Sequence, residues 1–364
     1  QSADEMYITQ SGLRPHIIKR YGHTCWDVVS VTFTGEPTDW SDENGWPEKV
    51  TFHQQRIVFA ANLLRRQTCW LSDAGDFSTF TENSPLLASD SITFTLDSGT
   101  QNKIQWLMSG KSLHVGTLGN EWTVSGNDRS ALTPENVLAQ RQTSHGSEPN
   151  KPLLIGLTTV FIEKYGRVVH EFKYDYTYDS YTTSDMAILS PHITEHYSIK
   201  DWTYQQTPDS IIWCVRADGA MVGVTYQRQH EVVGWHRHIT DGQFKSITSI
   251  PGNTREDDVW VVVKRIINGE DKYYIEKMAD QYKGSIASEG KFLDSYIEYI
   301  GEPTRVITGL GHLEGKLLHI LADGTVHPPT QVVNSELTLN NTYSEVILGL
   351  QFVSEVRPLL ADIK

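Results

Sequence analysis

Between Ile199 and His236 the chain reads IKDWTYQQTPDSIIWCVRADGAMVGVTYQRQHEVVGWH. Four short apolar runs stand in a row: Ile199 to Tyr204, Ile211 to Arg216, Met221 to Tyr226 and Val232 to His236. They are rich in Val, Ile, Trp and Tyr, side chains that suit a pleated, half-buried surface. The gaps hold Pro208-Asp209-Ser210 and Asp218-Gly219, residues that favour tight turns. The pattern predicts four antiparallel strands joined by short hairpins.

The same rhythm extends in both directions. Upstream it gives Met6 to Ile8, His16 to Arg20 and Val28 to Thr32, then the strand-turn-strand Val50 to Ala60, then Thr68 to Leu71 and the turn Ser72 to Asp76. Ile104 to Val115, Asn120 to Val124, Leu153 to Glu163 and Val168 to Tyr174 follow. Downstream come Lys245 to Ile250, Val259 to Lys264 and Tyr273 to Lys277. A unit of three or four strands thus recurs roughly every 40 to 50 residues, the sequence signature of a β-propeller. A small twisted sheet cannot bury both faces alone, whereas sheets stacked around an axis bury them against one another. The expected fold is all-β, a propeller of about six blades (range five to seven) over residues 1–280, plus a small C-terminal β domain over 281–364. The change of rhythm falls at the polar stretch Asp280 to Gly290. Beyond it lie Ile297 to Ile300, Arg305 to Thr308, Lys316 to Ala322, a turn into a strand at Ala322 to Val326, Ser335 to Leu339 and Val346 to Leu350. From Gly349 the alternation fades, and the domain is expected to continue further or to pair elsewhere. One short helix is predicted over Thr133 to Gln140, with Thr133 as cap, Pro134 in the first turn and Glu135 at the positive end.

Composition agrees with this reading. The 364 residues suggest two to three domains, or one large β domain with an accessory. Hydrophobic residues make up 38% and charged residues 21%, enough for a core and too little charge for a disordered chain. The net charge of −14 speaks against a protein that grips nucleic acid by neutralising its phosphates. No run of about 18 apolar residues predicts a transmembrane helix. Gln1 to Tyr7 carry two acids and no apolar core of a signal peptide. The start at Gln rather than Met reads as a piece of a longer polypeptide. Cys25, Cys69 and Cys214 are odd in number and widely spaced, with no CxxC. They are expected to be free, mostly buried thiols in a reducing compartment rather than disulfides or zinc ligands.

Motifs with chemical potential are few. Ser72-Asp73-Ala74-Gly75-Asp76 partly resembles the Asp-box turn of sialidase-like propellers, but turn chemistry alone accounts for it. Asp39-Trp40-Ser41-Asp42-Glu43-Asn44-Gly45 is dense in oxygen donors, yet a calcium loop begun at Asp39 would have Val50 where its closing Glu belongs. His192 and His196 lie four apart without a helical pattern, and Pro191 precedes them. His236 and His238 share one face of a strand, two ligands where zinc asks for three. Asp257-Asp258 and Glu270-Asp271 read as solvated turns. There is no GxSxG, P-loop or strand-borne GxGxxG. The cations Lys19, Arg20, Arg65, Arg66, Arg228, Arg237, Lys264 and Arg265 are scattered rather than clustered. No catalytic, cofactor-binding or metal-binding residue is assigned, and no cofactor is expected.

Longer words do carry a resemblance. Pro37-Thr38-Asp39-Trp40-Ser41-Asp42-Glu43-Asn44-Gly45-Trp46-Pro47, with Val50-Thr51-Phe52-His53-Gln54-Gln55-Arg56, resembles the central region of tail proteins of short-tailed bacteriophages. So do Leu132-Thr133-Pro134, Arg141-Gln142-Thr143, Tyr204-Gln205-Gln206, Pro208-Asp209-Ser210, Val215-Arg216-Ala217-Asp218-Gly219 and Val233-Gly234-Trp235-His236-Arg237-His238. Gly311-His312-Leu313-Glu314-Gly315-Lys316 with Ala322-Asp323-Gly324 looks like the small β domain of the same family, the nozzle or tail tubular protein B. The resemblance runs from about Ala3 to Leu360. It implies a propeller-containing, non-enzymatic subunit of a ring, a hexamer in the tail, that retains DNA and then conducts it during ejection. Its partners would be further copies of itself, the tail adaptor and the tail fibres. DNA would pass without specific binding, and no membrane insertion is implied. Its place would be the virion tail, assembled in the bacterial host cytoplasm. Family members are usually longer at both ends.

Two other readings stay open. A glycan-binding or glycan-cleaving host-attachment propeller would show a pocket with convergent carboxylates. An intracellular scaffold for protein partners would show an apolar patch on one face.

Overall fold

In the computed structural model, which describes residues 4–127, 130–253, 255–286 and 289–356, the chain is almost wholly β. It divides into two compact units, Gln1–Ser198 and Ile199–Lys364. Each is an array of small antiparallel sheets.

The first unit holds four sheets. β1 (Glu5–Gln10), β2 (Leu13–Gly22) and β3 (Cys25–Ser30) form the first. The second runs β4 (Lys49–His53), β5 (Arg56–Ala60), β6 (Thr68–Leu71) and β7 (Ile92–Thr95). The third runs β8 (Ile104–Ser109), β9 (Leu113–Thr117), β10 (Glu121–Gly126) and β11 (Val137–Thr143). The fourth runs β12 (Leu153–Ile155), β13 (Thr158–Ile162), β14 (Val169–Asp175) and β15 (Ser180–Asp185). The second unit begins with β16 (Ile199–Gln205), β17 (Ile211–Arg216), β18 (Met221–Gln227) and β19 (Val232–His238), the four strands anticipated at the outset. A three-stranded sheet follows, β20 (Gln243–Pro251), β21 (Asp257–Ile267) and β22 (Glu270–Lys277).

In all six sheets each strand pairs with its sequence neighbour. Successive sheets meet through corresponding strands: β4 lies beside β1 and β8, β11 beside β15, and β16 beside β20. First strand against first strand and last against last is radial stacking, the blade construction of a β-propeller. The fold class is therefore the expected one, and six such sheets precede residue 281. A seventh sheet has a different order, β23-β26-β24-β25, built from β23 (Asp294–Thr308), β24 (Leu317–Ala322), β25 (Thr325–Gln331) and β26 (Glu336–Leu350). Its inner residues, among them Ile307, Leu318, Leu337 and Val346, form a core of their own.

Burial follows strand position. The middle strands β5, β6 and β9 are buried along their whole length, while β7, β11 and β19 alternate or lie open. The first two sheets share an aromatic core in which Trp40 meets Phe33, Phe59, Trp70 and Phe80 edge-on. Such T-shaped contacts satisfy the ring quadrupoles as well as burying area.

The helix expected at Thr133 to Gln140 does not form. Thr133 to Asn136 make a turn, closed by the Asn136 N–H on the Thr133 carbonyl, with the Asn136 side chain accepting from the Thr133 N–H. Val137 to Thr143 then pair with β10 as the outer strand of their sheet. The local capping signals were real, but ladder hydrogen bonds to an already formed sheet outweigh a helix too short to be stable alone. The two halves read in the last domain at Ile297 to Ile300 and Arg305 to Thr308 are one long strand broken by register shifts, as are Ser335 to Leu339 and Val346 to Leu350. Of the fading C-terminal stretch, residues 357–364 lie outside the described residues.

Candidate functional site

Most polar motifs weighed in the sequence are spent on local structure. In the Asp-box-like turn, Asp73 accepts the Thr81 N–H at 3.1 Å and its hydroxyl at 2.7 Å. Asp76 accepts from Ser78 and Thr79, and these bonds, led by the Ser78 N–H, hold its carboxyl below the usual carboxylate range. Within Asp39–Gly45, Asp42 accepts the Trp46 indole N–H at 2.8 Å, Ser41 accepts the Asn44 N–H, and Asp39 faces Arg65 at 3.4 Å. His192 sits in a 3₁₀ turn, Pro191–Ile193, whereas His196 lies exposed beside Glu195. Asp257 accepts the backbone N–H groups of Gln206 and Thr207. Asp258 pairs with Lys277 at 2.8 Å, Glu270 with Lys272 and Asp271 with Lys264, both at 2.6 Å. Of the scattered cations, Lys19 meets Glu5, Arg20 meets Asp4 and Arg265 meets Glu276.

His236 and His238 do share a face of β19. His236 Nδ1 and His238 Nε2 are 2.8 Å apart, and both rings stand edge-on to Trp213. Burial lowers both, His238 to about 4, so the pair is neutral near pH 7 and shares a hydrogen bond. The thiols are all free, with Cys69 and Cys214 buried and Cys25 exposed.

Among the described residues of the second unit, at least two cavities open. The larger, about 860 Å³, is walled by Arg237, His238, Tyr274, Glu276, Lys291 and Asp294 among others. Burial pushes the Asp294 carboxyl up. The smaller, about 290 Å³, carries Asp209, Glu256, Asp257, Asp258 and Asp280 beside Trp213. Its acids are mostly engaged: Asp257 on backbone amides, Asp258 and Asp280 toward Lys277, Glu256 toward Lys283 at 3.3 Å. Glycoside cleavage instead asks for one carboxyl kept protonated opposite a free carboxylate.

The first unit brings together histidines that the sequence did not single out. His53 and His114 are buried, their Nδ1 atoms 2.9 Å from Ser109 and Thr159 hydroxyls, and their Nε2 atoms are without partners. Desolvation takes both to about 4. Further along, His145, Glu163 and His170 converge, each offering a ligand atom within 4.8 Å of the others. His170 on β14 is 5% exposed, with Nε2 3.1 Å from Glu163 and Nδ1 unpartnered. Leaving such an atom unpaired costs about 1–3 kcal/mol. The His145 ring lies 4.3 Å from that of His170, and its Nε2 is 2.8 Å from the Thr183 hydroxyl.

The loop that delivers His145 is tightly fixed. Gly146 has φ +79°, and a Cβ there would lie 2.2 Å from the Leu118 carbonyl oxygen, so the turn admits glycine only. Glu121, fully buried, accepts the Ser147 hydroxyl at 2.9 Å, the Thr143 hydroxyl and the His145 N–H. No sequence spacing announces this cluster. His145 follows β11 and Glu163 follows β13, and they are joined by antiparallel backbone pairing of the intervening loop, Ser147 opposite Glu163, with the end of β13.

No protein-family model matches the chain, and no curated protein does. Solved structures similar to it include the β-propeller domain of Myceliophteria thermophila Cps50 (Swd1), at 9% identity and a TM-score of 0.37 over 68% of this chain and 76% of that one. Another is a luciferin-regenerating enzyme, at 13% identity and a TM-score of 0.26 over 58% of this chain and 80% of that one. The propeller class rests on the chain's own sheet topology, not on these likenesses.

Proposed function

We propose that the chain is a structural subunit of the tail nozzle of a short-tailed bacteriophage, working by geometry and assembly rather than by catalysis. The observation that supports this reading best is how the segment carrying the resemblance, Pro37 to Arg56, is used. Trp40 is the hub of the aromatic core and Trp46 is buried, its indole held by Asp42. Arg56, 2% exposed, donates to the carbonyls of Ser72 and Asp90 at 2.6 Å and of Ala88 at 2.9 Å. The longest shared word is framework, as befits a family whose product is a shape.

Two further features fit. Large apolar side chains stand open on the fourth sheet and its loops: Leu157, Tyr176, Tyr178, Ile188 and Leu189, the last 93% exposed. Surfaces of that kind are where copies of a ring subunit meet. A net charge of −14 suits a conduit that must release its cargo, since acidic walls repel phosphates. In this reading the ring is homo-oligomeric, joins the tail adaptor and fibres, and belongs to the virion. Residues 281–364 are its small β domain.

The alternative, a glycan-binding or glycan-cleaving propeller, draws on the acid-lined cavity beside Trp213. Mass measurement by light scattering, alone and with the adaptor protein, separates the two. Oligomers that grow with concentration or on adding adaptor support the nozzle reading. A monomer that binds or hydrolyses oligosaccharides overturns it.

A further inference from the structure

We infer that His145, Glu163 and His170 form a binding site for a divalent transition-metal ion of the zinc class, which ties the loop leaving β11 to the strands β13 and β14. The inference goes beyond the nozzle reading and holds whether or not the chain assembles.

The donor set is two imidazoles and one carboxylate, the nitrogen–oxygen set that zinc accepts with an open fourth position. Among the described residues it is the one group of three such side chains gathered within 4.8 Å. The spacing is close to what a metal needs. With metal–nitrogen and metal–oxygen bonds of about 2.0–2.1 Å, neighbouring ligands of a tetrahedron stand about 3.3 Å apart. His170 Nε2 and Glu163 are already at 3.1 Å, so one edge of the polyhedron is in place. His145, half-buried on its loop, offers the third donor within 4.8 Å of the other two.

Around His145 the surroundings supply part of what a metal site requires beyond its ligands. A ligating histidine ordinarily donates its other ring N–H to an oxygen. His145 Nε2 lies 2.8 Å from the Thr183 hydroxyl, and in the tautomer that donates to that oxygen Nδ1 carries the lone pair a metal needs. A doubly charged ion held by one carboxylate leaves a net positive charge. Glu121, buried and accepting the His145 backbone N–H, adds a carboxyl group next to the ligand loop that can offset that charge. His170 contributes Nε2, the atom already beside Glu163, while its Nδ1 is buried without a partner and is not the ligating atom.

The test uses the full chain, stripped with chelator and dialysed at neutral pH against micromolar Zn²⁺, with Co²⁺ as a spectroscopic probe. The expected result is one tightly bound equivalent, cobalt absorption bands of tetrahedral intensity, and a melting midpoint that rises with Zn²⁺ concentration but not with Mg²⁺. His145→Gln, checked for folding by circular dichroism, should weaken binding roughly tenfold or more, and Glu163→Gln should do the same. His238→Gln, at the other histidine pair, should leave it unchanged. No bound equivalent, wild-type affinity in His145→Gln, or loss of binding in His238→Gln would each overturn the assignment.

Discussion

Replacing Arg56 by Met tests whether the 37–56 segment is framework. The guanidinium reaches from β5 into the connection between β6 and β7 and donates to three carbonyls, those of Ser72, Asp90 and Ala88. Asp90 in turn accepts from the Asn83 N–H and side-chain amide and from the Leu87 N–H, so one side chain anchors a self-bonded connection. A hydrogen bond involving a charged group contributes about 1.5–3 kcal/mol, so three amount to roughly 4.5–9 kcal/mol gross. Met fills similar volume and relieves the cost of burying a cation, which offsets part of that. The carbonyls it strands keep the net loss at about 3–5 kcal/mol, the range for breaking a buried charged network. Urea unfolding followed by tryptophan fluorescence reads this directly. With a slope of about 2–3 kcal/mol per molar, the midpoint should fall by about 1–2.5 M with the slope unchanged. A midpoint within about 0.3 M of wild type would refute the reasoning.

Other expectations follow from the same packing. His53, His114 and His238 have folded-state values of about 4, below the ordinary 6.5, because burial disfavours the imidazolium. Between those values the unfolded chain binds more protons, so stability present above pH 6.5 drains away as the pH falls toward 4. Urea midpoints across that range should show the decline, and His53→Gln should flatten it; a profile level from pH 7 to 4 would contradict it. A thiol reagent should titrate Cys25 in the native protein and reach Cys69 and Cys214 only on unfolding, since burial removes access and raises both thiols. Gly116→Ala sets a Cβ 2.0 Å from the Trp106 ring in a fully buried strand and should cost about 1–3 kcal/mol by thermal melting.

Strands announced themselves where the fold buries them. Thr68–Leu71 and Ile211–Arg216 were legible to the residue because middle strands need apolar side chains on both faces. The outer strands were not. β7 has four residues, β15 reads SYTTSD, and β11 looked like a capped helix. An outer strand pairs on one side and faces solvent, so its sequence need carry little hydrophobic signal. The His236–His238 pair was visible because alternation alone places residues two apart on one face. His145, Glu163 and His170 were not, because the loop carrying His145 pairs with the β13–β14 hairpin through backbone hydrogen bonds, which side-chain spacing does not encode. Asp73 and Asp76 were read correctly as turn-makers, since Asx chemistry acts within a few residues, whereas Asp257-Asp258 and Glu270-Asp271, read as solvated turns, open strands β21 and β22.

The nozzle proposal requires copies of this chain to assemble into rings. Electron microscopy of negatively stained protein at high concentration, with and without the adaptor, tests it most directly. Rings with an open centre are the expected result. A uniform field of single particles, from a preparation that cleaves oligosaccharides, would contradict it.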